Sequence, residues 1–390
     1  MTPTTGMTSS NQRIAFIKTG GFSHINDRVF AMLRTRFPGA EIDVVDTNEL
    51  PVWGRFGLPA MAINVLLQYG IKRCRNTSSI KRYGQRTTGF FDTVRSQLRA
   101  RLGRGNYLFT IQTQSMIDAS QPGTPHFIYT DHTHLTNLYY VGFDRTDLYA
   151  TEWLAKEREI YENASTVFTM SSHVSRSLCE QYGIDESRIE RIRVGSNIDI
   201  PPAETLPPER YAGKRILFVG IDWERKGGPQ LIEAFKQVLQ RHPDALLTII
   251  GCSPVVDVAN CKVLGRLPLK EVSQHYLDSA VFCLPTRNEP FGIVFLEAFA
   301  HRMPIVSSDI GALPDIVQNG VSGYMVPPDD IDALAEKLIE LIASPDKCKE
   351  FGQAGFDHFR TNFTWENTGR LLEDRIRQEI DHDQQGARQH

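Results

Sequence analysis

Glu289 and Glu297 stand eight positions apart in "RNEPFGIVFLE", with Pro-Phe-Gly after the first and an apolar run leading into the second. The stretch before them, "AVFCLP", reads as a strand, and "IVFLEAFAHR" as a helix, so the first glutamate sits in the connecting loop and the second inside the helix. A carboxylate among Phe295, Leu296 and Phe299 is costly unless a hydrogen bond holds it. In open α/β sheets, ligands bind outside the carboxyl ends of the strands, at helix N-termini. There the N–H groups of Phe291, Gly292 and Ile293 favour an anionic or hydroxyl-rich ligand. Eight residues at helical rise span roughly 12 Å, a distance that suits one carboxylate on a ribose diol and another on a hexose. Two ordinary surface glutamates give the same spacing, so the strand, loop and helix around them carry the reading.

The elements that position these residues run through the whole chain. Short apolar stretches at 13–18, 41–46, 107–111, 127–130 and 166–171, and again at 215–220, 245–251, 262–265, 280–285, 304–309 and 324–327, alternate with helical patterns. Most are continuous rather than alternating, as strands buried on both faces of a parallel sheet must be. With 390 residues the chain is long enough for two domains. "NIDIPPAETLPPERYAG" (197–213), with two Pro-Pro pairs, reads as the linker between them. The expected architecture is α/β, two Rossmann-like doubly wound domains facing across a cleft. Residues 1–196 form the first and 214–365 the second, with a helix over 366–390 that crosses back.

"LPTRNEPFGIVFLEAFAHRMPIVSSDIGALPDIVQNGVSGYMVPPDD" resembles the signature of the retaining glycosyltransferases of family 4, which have the GT-B fold and an E-x7-E hallmark matched by Glu289 and Glu297. The resemblance covers 213–365 throughout and the first half more loosely. It implies transfer of a hexosyl group from a nucleotide diphosphate sugar to a hydroxyl, with Glu289 positioning the sugar and Glu297 the ribose. "LFVGIDWERKGGPQLIEAF" is similar to the family segment whose Arg and Lys hold the diphosphate, here Arg225 and Lys226; two cations before a Gly-Gly at a strand end suit that task. "VLGRLP" matches the turn against the base and offers Arg266 and Leu267, while Ser307 and Ser308 are weaker donor-side candidates. "KTGGFSH" resembles the Lys-Thr-Gly-Gly of glycogen synthases, with Gly20 and Gly21 for close backbone approach, although a plain tight turn reads equally well. In "IYTDHTH", His132 matches a histidine near the donor sugar, and His134 is its neighbour. H-x-H is also half a metal site, but no third ligand is evident; the resemblance implies that no metal or other cofactor is needed. The chain departs from the family at Gly311-Ala312-Leu313-Pro314-Asp315 and at Gly195-Ser196-Asn197-Ile198-Asp199.

The acceptor side is less legible. Residues 71–104 hold ten Lys or Arg and one acid, Asp92, in a chain of net charge -3. "FFDTVRSQLRARL" puts Phe90 or Phe91, Val94, Leu98 and Leu102 on one helical face, beside the apolar "LPAMAINVLLQYGIK". A basic amphipathic helix fits an anionic membrane surface and a lipid-linked acceptor, so residues 58–104 are the expected membrane contact; a helix packed on the sheet with solvated arginines fits as well. Aromatic residues do not interleave the charges, so no nucleic-acid partner is expected. The six cysteines lack C-x-x-C spacing and read as free thiols of a reducing compartment. The first dozen residues do not read as a signal peptide, and no run of 18 apolar residues occurs. The expected location is cytoplasmic, at most peripheral on a membrane. A UDP-sugar is the expected donor, as the commoner of its class. The alternatives are a nucleotide-sugar epimerase or phosphorylase of related fold, or a non-catalytic sugar-nucleotide binder.

Overall fold

The structure, a computed structural model, describes residues 12–22, 25–52, 57–197, 200–202 and 206–388. The expectations for the first eleven residues, and for 198–199 and 203–205 within the linker, lie outside the described residues.

The continuous apolar runs become parallel strands, fully buried toward the middle of each sheet (His126–Thr130, Thr166–Thr169, Val281–Leu284, Ile305–Ser308) and only partly buried toward its edges (Ala40–Asp46, Cys261–Gly265). In the first domain β1 (Gln12–Lys18), α1 (Ile25–Arg36) and β2 (Ala40–Asp46) are followed by three consecutive helices, α2 (Leu58–Tyr69), α3 (Thr77–Gly84) and α4 (Thr88–Leu102). Then come β3 (Tyr107–Thr113), β4 (His126–Thr130), α5 (Thr151–Glu162), β5 (Thr166–Thr169), α6 (Ser172–Glu180) and β6 (Ile189–Arg191). The second domain runs β7 (Arg215–Val219), α7 (Gly228–Arg241), β8 (Leu246–Ile250), β9 (Cys261–Gly265), α8 (Leu269–Asp278), β10 (Val281–Leu284) and α9 (Ile293–Ala300). It ends with β11 (Ile305–Ser308), α10 (Leu313–Ile316), β12 (Gly323–Val326), α11 (Ile331–Ile342), α12 (Pro345–Asn362) and α13 (Trp365–Arg388). The strand orders are β2-β1-β3-β4-β5-β6 and β12-β11-β10-β7-β8-β9, and the named pairings are parallel.

Two details matter for the site. In each sheet the order reverses once, between β1 and β3 and between β7 and β10, and a crevice opens at the carboxyl ends of such a pair. The last helix returns to the first domain: Arg36 on α1 bonds Glu366 of α13, Arg375 donates to Thr166 Oγ1 at 3.1 Å, and the Trp365 indole donates to the Ser196 carbonyl at 3.0 Å. β6 escaped the sequence reading because its residues, Ile-Glu-Arg, are few and mostly polar; it pairs with β5 as the last strand of its sheet.

The basic stretch folds differently from the membrane-facing helix expected of it. α4 turns Phe90, Phe91, Val94, Leu98 and Leu102 into the core, and Arg95 pairs with Asp118 at 3.0 Å and with Glu159. Its apolar face is thus spent on packing. The face left uncovered belongs to α2, where Ile63, Leu66 and Leu67, with Ile71 just beyond, are 59%, 46%, 80% and 76% exposed.

Candidate active site

The loop after β10 and the loop after β7 build one wall of a cleft of about 610 Å³, and each ties the other down. Arg287 N donates to the Arg225 carbonyl at 2.9 Å, and an Arg225 Nη donates to the Asn288 carbonyl at 2.8 Å. The Thr286 hydroxyl bonds the Asn288 carbonyl at 3.0 Å. The cleft is lined by Val219, Gly220 and Ile221 after β7, by Gly251 after β8, and by Asn288 through Val294 with Glu297 after β10. Ile25 and Asp131 of the first domain, with Asn197 at the start of the linker, close it from the other side.

Glu289 and Glu297 both line this cleft, although the chain from 289 to 292 is loop, so their separation is not a helical rise. Glu289 is buried and ion-paired with the equally buried Lys226. Buried charges persist only when paired and hydrogen bonded. Glu297 accepts from the Tyr276 hydroxyl at 3.2 Å. Its enclosure pushes its carboxyl up to about 7, and the Tyr276 bond only partly counters this. Arg225 spends Nε on Asp222 (3.2 Å) and one Nη on a carbonyl, which leaves further N–H donors of its five facing the cleft. α7 and α9 both begin here, after Gly227 and Gly292. Neither has a side-chain cap; at α9 the first N–H groups, of Ile293 and Val294, face the cleft, whereas at α7 the Gly228 N–H is given to the Trp223 carbonyl at 2.9 Å and Pro229 has none.

Gly292 is required by geometry: its φ is +96°, and a Cβ would lie 2.6 Å from the Phe295 ring and 3.1 Å from Glu289 Cγ. Gly311 is equally constrained, since a Cβ there would come within 2.1 Å of the Glu289 carbonyl. The departure from the family pattern at 311–315 therefore keeps the glycine that supports the Glu289 loop. The new Asp315 leaves the donor side and reaches across the domains, bonding Arg191 at 2.9 Å and the Ser172 amide at 2.5 Å.

Other expected residues stand further off. His132 does not line the donor cleft. It lines an adjoining cavity of about 360 Å³ in the first domain, together with His134. The Thr136 hydroxyl donates to the Thr133 carbonyl (2.6 Å), so it accepts from His132 Nδ1 (2.8 Å), and Asn137 donates to Nε2 (3.2 Å). Both ring nitrogens are occupied, and burial holds the imidazole neutral, down at about 4. His132 thus stands in the adjoining cavity, and Asn137, which bonds it, receives Asn288 from the other domain at 3.3 Å. His134 stacks on Tyr149 with ring centroids 4.0 Å apart. Gly20 and Gly21 are outside the lining, although Ile25 a few residues on is part of it. Gly20 instead donates its N–H to Asp46 Oδ1 at 3.4 Å and accepts from Asn26 Nδ2 at 2.7 Å. Arg266 is exposed and Leu267 packs on the core; their loop meets the cleft only through the bond from Gly251 N to the Gly265 carbonyl at 2.8 Å. Ser307 and Ser308 are buried, Ser307 donating to the Leu284 carbonyl at 3.2 Å.

Asp131 was passed over between the two histidines of "IYTDHTH". It lines both the donor cleft and the adjoining cavity, at the end of β4. Enclosure, then the nearby Glu289, raise its carboxyl to about 6. A strand-end carboxylate was the available signal. Among the described residues no three of His, Cys, Asp and Glu stand together as a metal-ligand set.

Residues 208–358 match the family described as Glycosyl transferases group 1. The second domain belongs to that family. The chain is similar to a GDP-mannose-dependent alpha-(1-6)-phosphatidylinositol monomannoside mannosyltransferase of Mycolicibacterium smegmatis, with 29% identity over 240 residues, 55% of this chain and 63% of that protein. It is also similar to a GDP-mannose-dependent monoacylated alpha-(1-6)-phosphatidylinositol monomannoside mannosyltransferase of Corynebacterium glutamicum, with 34% identity over 164 residues, 38% of this chain and 43% of that protein. The matches thus span less than two thirds of either relative. In three dimensions the chain resembles sucrose-phosphate synthase from Thermosynechococcus elongatus, with a TM-score of 0.64 and 18% identity over 95% of this chain and 100% of that one. The glycosyl transferase domain and the domain facing it together form the GT-B architecture, and the cleft described above lies between them.

Proposed function

We propose that the protein is a retaining glycosyltransferase that moves a hexosyl group from a nucleoside diphosphate sugar to a hydroxyl acceptor. The observation that carries this reading is the meeting of Glu289, Glu297, Arg225 and Lys226 in one cleft at the point where the strand order reverses. In this reading ionised Glu297 accepts hydrogen bonds from the ribose hydroxyls and Glu289 orients the hexose. The free N–H donors of Arg225, the Lys226 ammonium and the N-terminus of α9 offset the charge that develops on the leaving diphosphate, so no metal is required. The glycosidic C–O bond to the diphosphate breaks, the acceptor oxygen attacks from the same face, and the departing phosphate oxygen takes its proton. Asp131 receives the acceptor hydroxyl where the two cavities meet.

The donor expected from sequence is a UDP-sugar; the GDP-mannose-dependent relatives make GDP-mannose its rival. A thermal-shift screen against UDP-, GDP- and ADP-sugars with EDTA present tests both points. A ligand bound only to the native state raises the melting temperature by mass action. One nucleotide class is expected to do so, and Glu297→Ala and Arg225→Ala to abolish the effect. No shift at millimolar concentration with any of them would overturn the donor site.

The acceptor is proposed to be a membrane lipid or lipid-linked glycan, and the protein a peripheral one. The support is the uncovered row Ile63, Leu66, Leu67 and Ile71, flanked by exposed Lys72, Arg75 and Lys81, a combination suited to an anionic interface. No helix among the described residues is long and apolar enough to cross a membrane. Co-sedimentation with phosphatidylglycerol vesicles is expected to weaken at high salt and to vanish in Leu67→Glu/Ile71→Glu. Retention of vesicle binding by that variant would remove this surface from the account.

A further inference from the structure

The cavity beside the donor cleft contains a cation, Arg86, that no carboxylate among the described residues contacts directly. Arg86 lies in the short connection between α3 and α4, and its backbone is held at both ends. Its N–H donates to the Tyr83 carbonyl at 2.9 Å, and its own carbonyl accepts from the Tyr69 hydroxyl at 2.5 Å and from Gln68 at 3.3 Å. Its guanidinium lies 5.5 Å from the Tyr149 ring centroid and 5.3 Å from that of Trp153. Those rings are themselves fixed, Trp153 by burial and Tyr149 by stacking on His134 and by donating its N–H to His134 Nε2 at 2.9 Å. Arg86 therefore lines the cavity from a fixed backbone, with its guanidinium in cation–π range of two fixed rings.

The carboxylates of the same cavity are engaged elsewhere or stand apart. Glu157 accepts from the His134 amide at 2.9 Å and from the hydroxyls of Tyr161 and Tyr182. Asp147 pairs with Arg73 at 3.1 Å. Asp131 lies at the mouth shared with the donor cleft. Among the described residues no carboxylate comes within ion-pairing distance of Arg86. Arg82 also lines the cavity, and both histidines there are held neutral, with the Arg86 charge contributing to each. Glu157 feels the Arg86 charge only from a distance and spends its oxygens on other donors, so the guanidinium keeps its N–H fork for an oxyanion, which it can grip with two parallel N–H bonds.

We infer that this cavity binds an oxyanion, a phosphate or carboxylate, carried by the acceptor, with Arg86 as its principal ligand and Arg82 as a second. The inference deepens the transferase reading and rests on it for the word acceptor. The volume of about 360 Å³ holds a group of monosaccharide size. Such a group, anchored by its anion on Arg86, presents a hydroxyl to Asp131 and so to the donor cleft. The substrate class is an anionic polyol, either free or as the headgroup of a lipid.

The test uses the full chain and inorganic phosphate as probe, followed by calorimetric titration. The nucleoside diphosphate that gives the largest thermal shift is present at saturation, so that Arg225 and Lys226 are already occupied. Phosphate is expected to bind the wild type, and Arg86→Met to weaken it about tenfold or more, the loss of one charge-assisted contact, while nucleotide affinity stays unchanged. Arg225→Met should do the converse, so failure of the donor reading and failure of this one are told apart. Equal phosphate binding by Arg86→Met, or none by the wild type at tens of millimolar, overturns the site. If Arg86→Met does not fold, Arg86→Lys decides: the point charge replaces the fork, so weaker phosphate binding supports the site and unchanged binding overturns it. Phosphatidylglycerol vesicles then identify the source. Competition with phosphate that is lost in the Arg86 variant supports a lipid headgroup in the cavity, and phosphate binding without competition supports a free anionic acceptor there.

Discussion

At the scale of single residues, the cleft trades stability for binding. Glu297 has a carboxyl raised to about 7 against an unfolded value of 4.5, so the folded state prefers it protonated. The stability this contributes is full below the unfolded value and is lost as pH rises through the folded one, that is, between about pH 4.5 and 7. The ionised form is nevertheless the one that accepts two ribose hydroxyls. Glu297→Gln is therefore expected to raise the melting temperature of the free protein at pH 8 by roughly 2–4 °C relative to its effect at pH 5, while weakening nucleotide binding at least tenfold. Differential scanning fluorimetry at the two pH values, with and without nucleotide, reads both. A variant that is no more stable at pH 8 than at pH 5 would show that Tyr276 alone satisfies the carboxylate. Asp131 carries the same sign, being raised to about 6.

At the scale of elements, the strand-end loops are held by the buried Lys226–Glu289 pair. Removing one partner leaves the other as an uncompensated charge, which costs about 3–5 kcal/mol. Lys226→Met is thus expected to destabilise by that order. Lys226→Met/Glu289→Gln should recover most of the loss in a urea titration yet remain inactive in hexosyl transfer. Recovery of activity with stability would make the pair purely structural. The same loops explain why the candidate site was so legible in the sequence. Glu289, Gly292, Ile293 and Glu297 lie within one loop and helix, so their mutual placement is set by local backbone geometry. Arg225 and Lys226 are brought in by a neighbouring strand of the same sheet. That His132 lines the adjoining cavity, with both ring nitrogens bonded, could not be read from its strand-end position. Asp131 was missed because its importance lies in facing a different domain.

At the scale of the whole molecule, the two domains meet through contacts on both sides of the cleft. Asp315 holds Arg191 and the N-terminus of α6, and Asn137 meets Asn288. The Arg191–Asp315 pair is half exposed on the arginine side, so it is worth about 1 kcal/mol at most. Arg191→Ala is accordingly expected to raise the donor KM by roughly fivefold with little change in kcat, and small-angle scattering should show a larger radius of gyration without nucleotide. An unchanged KM and radius would mean that the remaining contacts suffice to hold the domains.

Continuous apolar runs and the Glu-Pro-Phe-Gly turn were enough to indicate two parallel α/β sheets and a candidate site at the end of β10, because each depends on neighbours in the chain. The fate of residues 58–104 could not be read in that way. Periodicity shows that α4 has an apolar face and that α2 is apolar nearly all round, but it does not name the partner each face meets. Packing gave the α4 face to the core, left Ile63, Leu66, Leu67 and Ile71 uncovered, and set Arg86 beside two rings, Tyr149 and Trp153, more than sixty residues away. Burial is a property of the surface that covers a residue, and that surface exists only once distant segments have come together.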